Sequence, residues 1–314
     1  MVLVSLDVDA QSKKKYKRNK GTSRKEIRKR QQEAFEKDDT NAFNPKQPMG
    51  ARKNDRRDDL LWHSETANTI YHGAANISLV NPSRYGLRSD LELSSSLLLN
   101  YWVPNLTLKK RWQNNNWYIA SKHGLYSATP GFNWAQRKNH TSIIDDDAEV
   151  PFVLSMKNEL IFSRLIMNHD RCGRDKPYII LSGGIGVDFG VSFGDSTLRE
   201  IEGHFLTNRS PALTGSGYTA YAKLRADWQM NPYLILGGGF KYFRGDFSGS
   251  GALEHNADIQ AFILPAFSVS AGYALSIANY KDESTLGIIP FLDLTWYIGK
   301  RQGRQKGLWG KKMF

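Results

Sequence analysis

Residues 218–230 read YTAYAKLRADWQM, and every second residue is apolar: Tyr218, Ala220, Ala222, Leu224, Ala226, Trp228 and Met230. Lys223, Arg225 and Asp227 stand among the residues between them. Side chains alternate across a strand, so this stretch specifies a β-strand with one apolar face and one charged face. From Tyr218 to Trp228 it extends roughly 33 Å at about 3.3 Å per residue. An ordinary globular strand of about five or six residues is half that length. An aromatic side chain stands near each end of the apolar face.

The same period recurs along the chain. Leu87, Leu91, Leu93, Leu97 and Leu99 share one face of 87–99, opposite Arg88, Asp90 and Glu92. In 178–193, Ile179, Leu181, Ile185, Val187, Phe189, Val191 and Phe193 oppose Ser182, Gly184, Gly186, Asp188 and Gly190. In 286–298, Leu286, Ile288, Leu292, Leu294, Trp296 and Ile298 oppose Gly287, Asp293 and Thr295. Less regular strands fall at 105–112, 117–126, 152–166, 233–243 and 259–275, with a further candidate at 67–80. The most apolar long stretch, AFILPAFSVSAGYAL at 261–275, is too short for a spanning helix and contains Pro265.

Strands of this length, apolar outward and polar inward, fit a barrel better than a sandwich. Tilted about 40°, the 218–228 span rises about 25 Å, the height of the apolar band of a transmembrane barrel, whose rims carry aromatic girdles. Closure also removes the sheet edges that lipid leaves unpaired. The predicted fold is all-β: an antiparallel transmembrane barrel of 8–12 strands, best counted as ten, over residues 67–300. Tyr218, Ala220, Ala222, Leu224, Ala226, Trp228, Leu292, Leu294 and Trp296 are its predicted lipid-facing residues. Lys223, Arg225, Asp227, Asp188 and Asp293 are its predicted lumen-facing residues. A count of ten carries a difficulty: it places short turns such as Asn231-Pro232 outside and the long connections 194–216 and 244–258 inside, inverting the usual arrangement.

In this pattern, 67–300 resembles the outer-membrane β-barrel proteins of Gram-negative bacteria. The Ala10-Gln11 junction is similar to processing sites common in the Bacteroidota lineage. The resemblance implies an outer-membrane location, contact with outer-membrane lipid, and an N-terminal extension in the periplasm. It departs from such barrels in one respect: basic residues follow Trp296-Tyr297-Ile298 before the terminal Phe314.

The ends of the chain carry its charge. Residues 11–37 balance at +9 and 300–314 at +6 within a net charge of +12, leaving about −3 for the rest. The first ten residues, MVLVSLDVDA, read as a remnant of a secretory signal. Residues 11–66 read as a basic, largely flexible extension and linker, with a short helix near 24–37 begun by the capping box at Ser23–Glu26. Residues 301–314 form a basic tail. Lys13, Lys14, Lys15, Arg28, Lys29 and Arg30 are the predicted partner-binding residues, suited to an acidic protein, lipid phosphate or cell-wall polymer. The tails lack the interleaved aromatics of a base-stacking surface, so no nucleic acid is expected.

The remaining chemical signals are weak. Gly184-Ile-Gly186-Val-Asp-Phe-Gly190 lies within a strand pattern, so its glycines read as space for larger neighbours rather than a dinucleotide fingerprint. Cys172 is the single cysteine and reads as a turn residue. Asp145, Asp146, Asp147 and Glu149 read as a solvated acidic turn rather than a calcium loop. No catalytic, metal or cofactor residue is expected. The leading expectation is a non-enzymatic structural or accessory subunit of a cell-envelope assembly. Ser121 and His123 share a strand face and, with Glu92, make a lipid hydrolase a second reading. A narrow channel lined by Lys223, Arg225 and Asp227 is a third, and a soluble barrel with a nucleic-acid-binding arm is a fourth.

Overall fold

The computed structural model describes residues 40–41, 44–48, 61–114, 117–140, 144, 147–167, 177–194, 217–245, 251–280, 283–299 and 308. Two units divide at Lys53 and Asn54. In the first, β1 (Thr40–Asn41) and β2 (Asn44–Pro48) pair as a short antiparallel hairpin. The signal-like stretch, the 24–37 helix, the six predicted partner-binding residues and Cys172 lie outside the described residues.

The second unit is a closed antiparallel barrel of twelve strands. These are β3 (Ala75–Ser78), β4 (Ser83–Arg88), β5 (Leu91–Ser95), β6 (Asn105–Asn114), β7 (Tyr118–Tyr126) and β8 (Phe152–Met167), then β9 (Tyr178–Phe193), β10 (Gly217–Asn231), β11 (Leu234–Gly245), β12 (Gly251–Leu264), β13 (Phe267–Tyr280) and β14 (Glu283–Ile298). Each strand pairs with its neighbours in the chain, and β14 returns to β3 through Thr295–Ile298 against Ser78–Ala75.

The fold class matches the sequence reading, but the strand count of ten is corrected to twelve. Two stretches read as single strands are divided. The first turns at Ser89-Asp90 between β4 and β5, and the second at Pro265-Ala266 between β12 and β13. The early division reverses every later strand until the second restores the parity. The topological difficulty therefore disappears. The turns at 89–90, 232–233 and 265–266 lie at the end of the barrel where β3 begins and β14 finishes. β5, β7, β9 and β11 finish, and the 96–104 connection lies, at the opposite end.

Alternation places the faces. Along β10 every residue from Tyr218 to Met230 alternates between exposed and buried. The buried set is polar: Thr219, Lys223, Arg225, Asp227 and Gln229 accompany Tyr221. Leu224, on the outer face, is 69% exposed. A helix, α1 (Thr129–Arg137), interrupts the β7–β8 connection and packs Phe132 and Ala135 against Ile144, Ala148 and Val153. The sequence pattern gives no helix in this connection. Pro130 lies in the first turn of the helix, where its missing N–H costs nothing.

Candidate functional site

The lumen is occupied by the chain itself. Residues 61–74 precede β3 and run inside the barrel, with Trp62, Thr66, Ala67, Asn68, Thr69, Ile70 and Ala74 buried. The sequence assigns 61–66 to the flexible extension, yet these residues are fastened to the wall. The Leu61 N–H donates to the Tyr178 hydroxyl at 3.1 Å, and the Trp62 ring packs on Tyr118 with centroids 4.5 Å apart. Arg84 donates to the Trp62 carbonyl at 2.8 Å, and the Ala67 N–H donates to Ser163 Oγ at 2.9 Å. His63 begins a tight turn: its carbonyl accepts both the Thr66 N–H and hydroxyl, at 3.1 and 2.7 Å.

Charged wall residues grip this plug from several strands. Lys109 of β6 donates from Nζ to the carbonyls of Ser64, Thr66 and Asn68 at 3.1, 3.2 and 3.0 Å. It also pairs with Glu92 at 3.1 Å. Glu92 holds Arg84 through a bidentate pair at 2.8 and 2.6 Å and accepts the Ile70 N–H at 2.8 Å. Glu65 of the plug lies between Lys122 at 3.1 Å and Lys223, and Lys223 also pairs with Glu159. A buried cation is tolerated only where other groups replace its water: Lys109 has carbonyls and a carboxylate, and Lys122 and Lys223 have carboxylates. Neighbouring glycines leave the room. A Cβ on Gly186 would collide with the Tyr221 ring, and one on Gly237 would collide with the Arg225 guanidinium.

All five predicted lumen residues are buried on the inner side. Lys223 joins the plug, and Arg225 pairs with Asp227 and Asp258 at 2.8 Å each. Asp188 accepts the Tyr126 hydroxyl. Asp293, fully buried, accepts Ser78 Oγ at 2.6 Å, the Leu79 and Val80 N–H groups at 3.0 and 2.9 Å, and Asn81 Nδ2 at 2.8 Å. It thereby caps the β3–β4 turn, a role invisible in the sequence because its donors lie more than two hundred residues away. Between the plug and the wall remains a cavity of about 60 Å³ bordered by Trp62, His63, Arg84, Asp227 and Tyr297. That is room for a few water molecules.

Compared with protein-family models and with curated proteins, the sequence matches none. The site is therefore read from its own geometry.

The outer surface completes that geometry. Tyr218, Leu224, Trp228, Leu292 and Trp296 are exposed, as are Ala220, Ala222 and Ala226, while Leu294 is half-buried. Trp112, Trp117, Trp228 and Trp296 all stand near the end that carries the short turns, and Tyr101, Phe152, Phe193 and Tyr218 stand near the other. Charged side chains on outward positions of the described strands keep to the rims, as with Lys110, Arg164 and Arg244. Arg164 lies over the Trp117 ring at 5.4 Å and Lys110 over Trp112 at 5.8 Å.

The hydrolase constellation is not assembled. Ser121 accepts the Trp112 indole N–H at 2.9 Å and His123 bonds Asn158 at 2.7 Å, both on the outer face. Glu92 is on the inner face beneath the plug. The sequence brought them together because strand positions alone do not say which face a neighbouring strand presents. Among the described residues no group of acidic, histidine and cysteine side chains is placed to hold a metal.

Proposed function

We propose that this chain is an integral outer-membrane barrel that serves as a structural or accessory subunit of a cell-envelope assembly. Its basic extensions contact periplasmic partners: an acidic protein, lipid phosphate or cell-wall polymer. The observation that carries the reading is the inverted wall. Charges are buried inside, large apolar side chains are exposed outside, and the exposed tryptophans Trp112, Trp117, Trp228 and Trp296 collect at one rim. Such a surface is stable in lipid and a liability in water. The filled lumen favours a structural role over conduction, because Lys223, Arg225 and Asp227 are committed to ion pairs. Leu61 and Gly299, where the described barrel chain begins and leaves β14, stand at the end where β3 starts and β14 ends, so the short-turn end faces the periplasm in this reading.

Fractionation tests it. The protein is expected to sediment with outer membranes, to require detergent for release, and to migrate faster unboiled than boiled on a gel. Mild extraction is expected to retain envelope proteins that are lost when Lys13, Lys14, Lys15, Arg28, Lys29 and Arg30 are replaced by glutamine. A protein that stays soluble without detergent defeats the proposal.

A further inference from the structure

β14 is paired along its length with β13, yet it meets β3 only at Thr295–Ile298. The direction of its backbone groups is fixed by two bonds. The Leu79 N–H donates to the Leu294 carbonyl at 3.2 Å, and the Tyr297 N–H donates to the Ala266 carbonyl at 2.8 Å. In an antiparallel ladder, successive residues bond to opposite sides. Even-numbered residues of β14 thus face β3 and odd-numbered ones face β13. Beyond the Asp293 cap, Leu286, Ile288 and Leu292 direct their N–H and C=O groups, and Pro290 its carbonyl, to a side where no described strand lies. Pro290 occupies a position where its absent N–H takes nothing from the β13 ladder.

The neighbouring wall is low. β3, β4 and β5 have four, six and five residues beside the sixteen of β14. The stretch beside this gap, LGIIPFL, is apolar on both faces, unlike β10. Leu286, Ile288 and Leu292 are 65, 58 and 62% exposed outward, and Ile289 and Phe291 on the inner side remain partly exposed. A strand apolar on both sides is built to be covered on both.

We propose that this edge is a docking site for an extended, apolar segment of a partner polypeptide, which adds a strand along Leu286–Leu292 and fills the gap above β3–β5. The proposal rests on the membrane reading above. A lipid chain would cover the apolar side chains but leave the backbone groups unpaired, which hydrocarbon does not tolerate. A polypeptide strand satisfies both. The neighbour that continues this all-antiparallel wall runs opposite to β14. A second copy inserted the same way up brings its own β14 alongside in the same direction.

The test uses the full chain in the membrane of its native cell, with a benzophenone side chain placed at Leu286, Ile288 or Leu292, and at Leu224 as the control. Polypeptide adducts are expected at the three edge positions and not at Leu224. They should map to alternate residues of one extended segment. Ile288→Pro removes a free-side N–H and should abolish the adducts at Leu286 and Leu292 while leaving heat-modifiable migration intact. Should that variant not fold, amide exchange on the purified barrel decides. Leu286, Ile288 and Leu292 should exchange at least tenfold faster than Gly287, Ile289 and Phe291. Adducts to lipid alone, adducts between copies of this chain, adducts that survive Ile288→Pro, or equal protection of the two sets overturn the proposal. A membrane-embedded barrel with none of these polypeptide adducts defeats the docking site alone, whereas a protein found outside the membrane defeats the reading beneath it.

Discussion

Lys109 and His63 illustrate how single side chains hold the plug. Lys109 replaces its hydration with three plug carbonyls and the Glu92 carboxylate. Lys109→Met is expected to cost about 3–5 kcal/mol, the scale of breaking a buried ion pair by removing one partner, read as a lower denaturant midpoint of the folded barrel. His63 is governed by protonation. Burial, with Arg225 next, pushes its imidazole well below the ordinary range; Arg84 and Lys109 act the same way, and Glu65 opposes them. Its Nδ1 accepts the Glu65 N–H at 3.2 Å, which requires the neutral ring. Once released, the ring titrates near about 6.5. The released state then binds more protons than the seated one, so seating is favoured above that pH and weakens as pH falls below it. Glu65 behaves differently. Burial would raise its carboxyl, but Lys122 and Lys223 hold it well below the usual range, so its contribution persists until stronger acid. In a Cys172→Ser background, labelling of Ser64→Cys by a thiol reagent, taken relative to the unfolded chain at each pH, should rise as pH falls from 7 to 5, and His63→Gln should flatten that rise.

At the scale of elements, two features set the strength of the wall. Asp293 ties the β3–β4 turn to β14 through four donors. Asp293→Asn turns an acceptor into a donor facing backbone N–H groups, and is expected to cost about 3 kcal/mol on the scale of charge-assisted hydrogen bonds. Limited proteolysis near residues 79–82 should report the loss. On β9, Gly186→Ala drives a methyl into the Tyr221 ring; the melting midpoint should fall, with partial recovery in a Tyr221→Leu background. The sequence exposed long strands well: β10 was legible residue by residue, because thirteen alternating positions leave one choice of face. The inner-face glycines were legible for the same reason. The short strands β3 to β5 were not, because four to six residues carry too few alternations to separate a strand from a turn. α1 was hidden by Pro130 and Gly131, which signal a turn and a helix start equally. The plug was missed because His63–Thr69 is polar and lacks any period. Its burial comes from charges on β6, β7 and β10 that no local pattern reveals.

As a whole molecule the barrel is filled rather than hollow. In planar bilayers the intact chain is expected to conduct little, and deletion of residues 54–74 should give large, steady currents; equal conductance from both would show that the plug does not seal the lumen. The plug enters and leaves the barrel by one mouth. Leu61 bonds Tyr178 at the start of β9 and Ala74 directly precedes β3, so both ends of 61–74 stand at the end where β3 begins, and the segment folds in as a loop. β3 meets β14 over four residue pairs and β4 over two, against thirteen between β9 and β10. A failing molecule is therefore expected to part first beside β3, and the folded-in loop slips out through the opened seam.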